Sequence, residues 1–391
     1  MRRWVILGIA VAAQAAVSSL VYGLPFLLPV LRGALGLSLT EAGTLAAAPV
    51  LGVLIALIAW GAAADRFGER VVMTVGMLGT GLAGLAAAAV SGPVAMGVLL
   101  VVAGSFSASI SAASGRAVLG WFAPTERGLA MGIRQTCTPI GVGIAALTLP
   151  PAAASWGYQW ALVIPAGLSL VVGVVVAAGL VDPPRQPPKH VEETRSPYRG
   201  ARLWRVHVAS ALLVGPQFVA STYALTYLVS ELDWSPVTAG VVLAVVQFVG
   251  AAGRIGAGVW SDRVASRLRP MRWIALGAGV SLLVWGVGGA VSPWLAVVAI
   301  VAVSVFSVSD NGLGFTATAE LAGPFWAGRA LGVQNTGQNA LAMAVAPLFA
   351  MLVTAVDWPW ALTIGALLPL AATLVIPVRG EVFGQRLVST R

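Results

Sequence analysis

The sequence predicts an all-α membrane protein of twelve transmembrane helices, arranged as two pseudo-symmetric six-helix bundles, and three observations predict it. Of the 391 residues, 58% are hydrophobic and 9% charged, where a soluble domain carries about a quarter charged. The apolar residues fall into twelve runs, each near the roughly 20 residues that a spanning helix needs. Short loop motifs also recur between the two halves at a nearly constant spacing, as an internal duplication leaves them.

The runs, bounded by charges or Pro/Gly clusters, lie at about 4–31, 42–63, 71–90, 93–119, 129–150, 160–181, 204–229, 237–259, 272–291, 294–318, 330–355 and 358–378. They are continuous rather than alternating, which selects helices over barrel strands. Arg2 and Arg3 ahead of an apolar stretch, with Ala-Gln-Ala near residue 15, imitate a secretory signal. That stretch continues through Tyr22, Pro25 and Pro29 to Leu31, so an uncleaved first span is expected. The halves are then a bundle at 1–181 and a bundle at 204–391, joined by a linker at 182–203. Within the polar stretch from Asp182 to Arg205, Pro183, Pro184, Pro187 and Pro188 favour extended backbone, and the basic residues suit anionic lipid head groups.

Lys and Arg are retained on the cytoplasmic side of a membrane protein. With the N-terminus inside, the inside segments hold Arg2, Arg3, Arg66, Arg70, Arg127, the run from Arg185 to Arg205, Arg263, Arg267, Arg269, Arg272, Arg329, Arg379, Arg386 and Arg391, and the outside only Arg32. Both termini are therefore expected in the cytoplasm. The net charge of +9 sits in gaps between apolar runs instead of forming a soluble basic patch, which argues against nucleic-acid binding. The single cysteine, Cys137, lies within an apolar run and reads as a packing residue; it excludes an intrachain disulfide and a cysteine metal cluster. His190 and His207 lie in or beside the linker, and no P-loop or nucleophilic constellation is present. Neither an enzyme nor a bound cofactor or metal is expected.

The duplication is legible in the loops. Gly61, Asp65 and Arg66 recur as Gly258, Asp262 and Arg263, with Asp262 following Asp65 by 197 positions. Gly132-Ile-Arg-Gln-Thr136 recurs as Gly332-Val-Gln-Asn-Thr336, 200 positions on. Gly61, Asp65, Arg66, Gly68 and Arg70 resemble the signature G-x-x-x-D-R-x-G-R-R/K of the major facilitator superfamily, of the bacterial twelve-span type. Glu69 departs from the Arg usual there, and the second copy has Val264 and Ala265 where the loop glycine and Arg would be. The resemblance implies the major facilitator fold in a bacterial cytoplasmic membrane. It also implies a conformational latch in which Asp65 faces the start of span eleven and Asp262 the start of span five.

An ionisable side chain at membrane depth costs several kcal/mol unless it meets a partner or a wet cavity. Arg116, Arg134, Arg254 and Asp310 fall in spans four, five, eight and ten, whereas spans three, six, nine and twelve carry none in their interiors. The resembled fold has those four as its peripheral, lipid-facing helices. At a 1.5 Å rise per residue, Arg254 lies about 12 Å and Asp310 about 15 Å from the basic loops. Arg116 and Arg134 lie nearer the helix ends, where they suit either a substrate or an interhelical structural role. Helical spacing adds polar stripes: Gln14 and Tyr22 on span one, Gln217 on span seven beside a second stripe through Tyr223, and Gln247 two turns before Arg254. Asn311 on span ten, and Gln334 with Gln338 beside Asn335 on span eleven, complete the expected substrate-binding set.

Gly253-Arg254 with Gly258 resembles the span-eight arginine of monocarboxylate and oxalate:formate carriers, where it binds a substrate carboxylate. Gly250 stands where monocarboxylate carriers have an acidic residue. The expected function is proton-coupled, alternating-access transport of a small organic solute, anionic by its excess of arginine, with Asp310 carrying the proton and the chain acting as a monomer. The alternative is drug or metabolite efflux by proton antiport, of which Gly132, Pro139, Gly141 and Gly143 give a weak echo.

Overall fold

The computed structural model describes residues 2–183, 195–289 and 291–381; the linker positions Arg185 to His190 and the arginines Arg386 and Arg391 lie outside them. Among the described residues there is no β-strand. Inside a bilayer a helix satisfies its backbone groups within one segment, which is why apolar runs of this length take no other form.

The first half contains α1 (Arg2–Val21), α2 (Leu28–Leu35), α3 (Leu39–Phe67), α4 (Glu69–Ala89), α5 (Pro93–Trp121), α6 (Arg127–Arg134), α7 (Cys137–Trp156) and α8 (Tyr158–Gly179). The second contains α9 (Ala201–Ser230), α10 (Pro236–Arg263), α11 (Leu268–Leu283), α12 (Pro293–Ser309), α13 (Asn311–Ala322), α14 (Ala327–Gly365) and α15 (Leu367–Val375). Several spans are broken at identifiable places. Span one passes through a 3-10 turn, Leu24–Leu27, with Pro25 in its first turn, before α2. Span five divides between α6 and α7 at Gln135 and Thr136, and span ten divides between α12 and α13 at Asp310. The starts of α3 and α10 are capped by Ser38 and Ser235. Ser38 accepts from the Glu41 N–H (3.2 Å) while Glu41 accepts from the Ser38 N–H (2.9 Å), a capping box that satisfies two otherwise unpaired amides.

Spans eleven and twelve run on with little interruption: Ala327–Val375 is one apolar stretch of 49 residues, so length and hydropathy alone resolve eleven candidate spans. A helix of that length would reach about 74 Å, more than twice the hydrocarbon core. Asp357, at φ 61° and ψ 169°, breaks it into two crossings and restores twelve.

The halves meet closely at the end that carries most of the arginines. Any side chain added at Gly61 would overlap the carbonyl of Gly328, and one at Gly258 that of Gly128. One turn further in, Gly332 lies against Leu57 and Ile58, and Gly132 against Arg254 and Ile255. Small residues let membrane helices approach backbone to backbone. The four contacts form two pairs of α3 with α14 and of α10 with α6, each pair the image of the other under the repeat. A buried cluster, including Leu119 and Met131 from one half and Phe315 and Leu331 from the other, closes the same end.

Candidate functional site

At the basic end, the close glycine contacts bring the duplicated aspartates to helix starts. Asp65 accepts from the N–H groups of Gly328 (2.9 Å) and Arg329 (3.0 Å) at the start of α14. Asp262 accepts from Gly128 (3.0 Å) and Leu129 (2.9 Å) at the start of α6. Hydrogen bonds to a charged acceptor contribute about 1.5–3 kcal/mol, and the unpaired amides of a helix N-terminus favour a carboxylate further.

Each aspartate belongs to a buried charge set. In the first, Arg116 bridges Asp65 and Glu69, the latter at 2.7 Å, and Glu69 is fully buried. Arg329 stands 3.7 Å from Asp65. In the second, Arg267 reaches Asp262 (2.5 Å), the Pro124 carbonyl (2.5 Å) and Glu320 (3.5 Å), which also pairs with Arg127 (3.2 Å). Each set thus holds two acids and two bases, the neutral composition that buried ions require. Glu69 is the counter-charge that holds Arg116, which lies in this set and not beside Asp310. Arg70 follows a different course, its guanidinium donating to the Ala177 carbonyl (2.5 and 2.9 Å). Arg66 stacks on Phe67, 5.2 Å from its ring centre, and Arg263 lines a surface groove with Asp262 and Glu126.

The second copy of the loop is less degenerate than the sequence indicates. Gly68 has φ 96°, and Ala265, 197 positions on, has φ 47°, so both repeats place a positive φ at this loop position, although Gly68 alone separates α3 from α4 and four residues separate α10 from α11. Arg267 is then the counterpart of Arg70. A further repeated pair went unread in the sequence: Asp182 accepts from the Arg70 N–H (2.7 Å), and Glu381, 199 positions later, from the N–H groups of Arg267 (2.6 Å) and Leu268 (3.0 Å). The spacing of these two acids was the available signal.

Deeper in, the arginines divide by what they bond. Arg134, 4% exposed, spends its guanidinium on neutral groups: Ser114 (2.7 and 3.2 Å), Gln14 (3.3 Å) and Gln135 (2.6 Å), with Phe315 of the other half 5.8 Å beneath it. Arg254, 8% exposed, has one bond within the protein, from Nε to the Val308 carbonyl (3.3 Å). Its two terminal nitrogens have no hydrogen-bond partner among the described residues. They face a cavity of ≈ 90 Å³ in the second half, whose polar lining is Gln217, Ser221, Gln247, Ser304 and Ser307. A water occupies about 30 Å³, so the cavity takes a group of a few heavy atoms.

Asp310, 1% exposed, lies at the break between α12 and α13, and neither carboxylate oxygen has a hydrogen-bond partner among the described residues. Arg254 is within electrostatic range, yet no ion pair joins them. Asn311 donates to Gln217 (3.3 Å) beside the cavity. Other members of the expected set sit elsewhere. Gln14 holds Arg134, Tyr22 packs half-buried against a cluster containing Val53 and Leu57, and Tyr223 joins Phe349 and Trp358 in an aromatic group. Asn335 donates to the Leu331 carbonyl of its own helix, Gln338 points at the Ser210 carbonyl (3.5 Å), and Gln334 bonds His207 (2.5 Å).

A family model described as Major Facilitator Superfamily matches residues 7–347. An uncharacterized MFS-type transporter of Mycobacterium tuberculosis, Rv2994, is 42% identical over 380 residues, covering 96% of this chain and 85% of its own. A probable nitrate/nitrite transporter of the same organism, NarK2, is 29% identical over 243 residues, 60% of each chain. Among solved structures, a double-tryptophan mutant of XylE superimposes with a TM-score of 0.79 over 98% of both chains at 15% identity. FucP in the outward conformation gives 0.77 over 98% of this chain and 100% of its own, also at 15%, a likeness of fold alone.

Proposed function

The chain belongs to the Major Facilitator Superfamily and is a membrane transporter, and from that premise we propose that its solute is a small organic anion moved together with protons. The observation that carries this reading is the pair formed by Arg254 and Asp310. A guanidinium with its fork unbonded and turned to a small polar cavity suits a carboxylate, which it meets with two parallel bonds. A carboxyl buried without a partner one helix away is the group that exchanges a proton.

With Lys and Arg retained in the cytoplasm, the basic end is the cytoplasmic one. The glycine contacts and the two aspartate caps then close the cytoplasmic mouth, and rocking the halves about the midplane would open it. Asp65 and Asp262 act as latches for the closed arrangement. Arg116 stabilises one latch and takes no part in binding solute.

The test uses proteoliposomes of the full chain enclosing the dye pyranine, challenged in turn with formate, lactate, oxalate, glucuronate and ethidium. A carboxylate is expected to move protons across the membrane. Arg254→Ala should weaken its apparent affinity by about 10- to 100-fold, the equivalent of one or two charge-assisted hydrogen bonds, and Asp310→Asn should abolish proton movement. Coupling to ethidium alone, or full coupling in Asp310→Asn, would sink the proposal.

A further inference from the structure

We infer that the solute is a short hydroxy acid of two or three carbons, with its carboxylate on Arg254 and its hydroxyl on Ser304, Ser307 and Gln217. The inference rests on the reading of Arg254 as the carboxylate-binding group and adds what the rest of the cavity selects.

The cavity at Arg254 is lined by α9, α10 and α12, all of the second half. Arg254 Nε donates to the Val308 carbonyl (3.3 Å), which ties the guanidinium to α12 at a residue that itself lines the cavity. The remaining lining of α10 and α12 precedes these two residues in sequence: Leu243, Val246 and Gln247 before Arg254, Ser304 and Ser307 before Val308. Both helices run toward the basic end, α10 ending in Asp262 and Arg263 and α12 leading through α13 to Glu320. The lining therefore rises from the guanidinium away from the closed mouth. At a rise of about 1.5 Å per residue, Ser307 and Ser304 stand about 1.5 and 6 Å along the axis from Val308. A carboxylate on Arg254 thus lies at the floor, with its second and third carbons beside the two serines.

The hydrogens on this wall are distributed unevenly. Ser304 Oγ donates to the Ile300 carbonyl of its own helix (2.7 Å), so toward the cavity it only accepts. Gln217 Oε1 accepts from Asn311 (3.3 Å), which leaves its amide N–H groups to donate. Ser307, 1% exposed, has a hydroxyl without a hydrogen-bond partner among the described residues. Buried polar atoms are nearly always bonded, so a hydroxyl left open on a cavity wall is available to a solute.

A wall that offers both an acceptor and donors fits a group that both donates and accepts, as a hydroxyl does. A keto oxygen meets the donors alone. An alkyl chain meets neither and leaves the polar atoms of the wall desolvated and unpaired. An ammonium group only donates, and Arg254 repels it. Size narrows the class further, because ≈ 90 Å³ is the volume of about three waters. Glycolate and lactate suit that space, with Leu243 and Val246 as apolar wall for a methyl group. A six-carbon sugar acid has more than twice the atoms of lactate and exceeds it.

Binding to the purified full chain in detergent, at constant pH, tests this, with radiolabelled lactate displaced by unlabelled glycolate, pyruvate, propionate and glucuronate. Glycolate should displace it at concentrations similar to those of unlabelled lactate. Pyruvate should need about tenfold more and propionate about a hundredfold more, the equivalents of one and two hydrogen bonds to buried partners. Glucuronate should not displace it. The double variant Ser304→Ala, Ser307→Ala should bring lactate close to propionate without weakening propionate, whereas Arg254→Ala should weaken both alike. Propionate or pyruvate matching lactate in the parent chain overturns the inference, as does displacement by glucuronate, and neither result depends on a variant that folds. An unchanged ratio of lactate to propionate in the double variant also overturns it. These outcomes leave the organic-anion reading standing. Absence of displaceable lactate binding overturns the inference, and together with coupling to ethidium alone in the pyranine assay it overturns the anion reading too.

Discussion

At the scale of single residues, two positions test how backbone and charge hold the basic end. Gly68 and Ala265 occupy corresponding loop positions, both with positive φ, at 96° and 47°. A left-handed alanine costs about 1–2 kcal/mol, part of which a glycine returns as unfolded-chain entropy. Ala265→Gly should therefore stabilise the protein by about 0.5–1 kcal/mol. Gly68→Ala should destabilise it by more, because its methyl would also meet the Asp182 carboxylate. Thermal unfolding in detergent measures both, and shifts of the same sign would refute a shared positive-φ preference at the two positions. Glu69→Gln removes one of the two acids on Arg116; at this burial the loss should be about 3–5 kcal/mol, visible in the same melts. Glu69 is an instance of what the sequence left unread. As a departure from a motif it looked like a defect, and its meaning depends on Arg116, 47 positions away.

At the scale of elements, the question is what keeps α3 against α14 and α10 against α6. Asp65→Asn and Asp262→Asn each exchange a charged acceptor of two helix-end amides for a neutral one, a loss of about 1.5–3 kcal/mol. Cys137, buried at the start of α7, reports on the seam because it is the single thiol of the chain. Its labelling by a maleimide should accelerate about tenfold for each 1.4 kcal/mol lost, and most in the double variant. Rates unchanged in all three would remove the latch role from both aspartates. The duplicated spacing made this pairing of elements legible: two motifs 197 and 200 positions apart point to the same two-fold. The break at Asp357 was legible as the gap between the runs 330–355 and 358–378, with Pro359 beside it, whereas the break at Asp310 went unread inside one continuous run although Asn311-Gly312 follows it.

At the scale of the whole molecule, the placement of basic residues sets orientation. A fluorescent protein fused after Arg391 should fluoresce in a bacterial host, and a periplasmic phosphatase fused there should be inactive, as retention of Lys and Arg inside requires. The reverse pattern would invert the membrane and with it the side that the latches close. The sequence by itself determined that the chain is a bundle of about twelve helices in two halves, because lipid forces each span to satisfy its own backbone and exposes only apolar side chains. It also located the four ionisable groups within the spans. Only the tertiary structure decided their different situations: Arg116 sealed into a neutral ion set, Arg134 bonded to amides and hydroxyls, Arg254 open to a cavity, and Asp310 without a partner. Those differences rest on contacts such as Arg134 with Gln14, 120 positions apart, and Arg116 with Asp65, 51 positions apart. Helical periodicity fixes which face a residue shares, and packing alone fixes what stands opposite it.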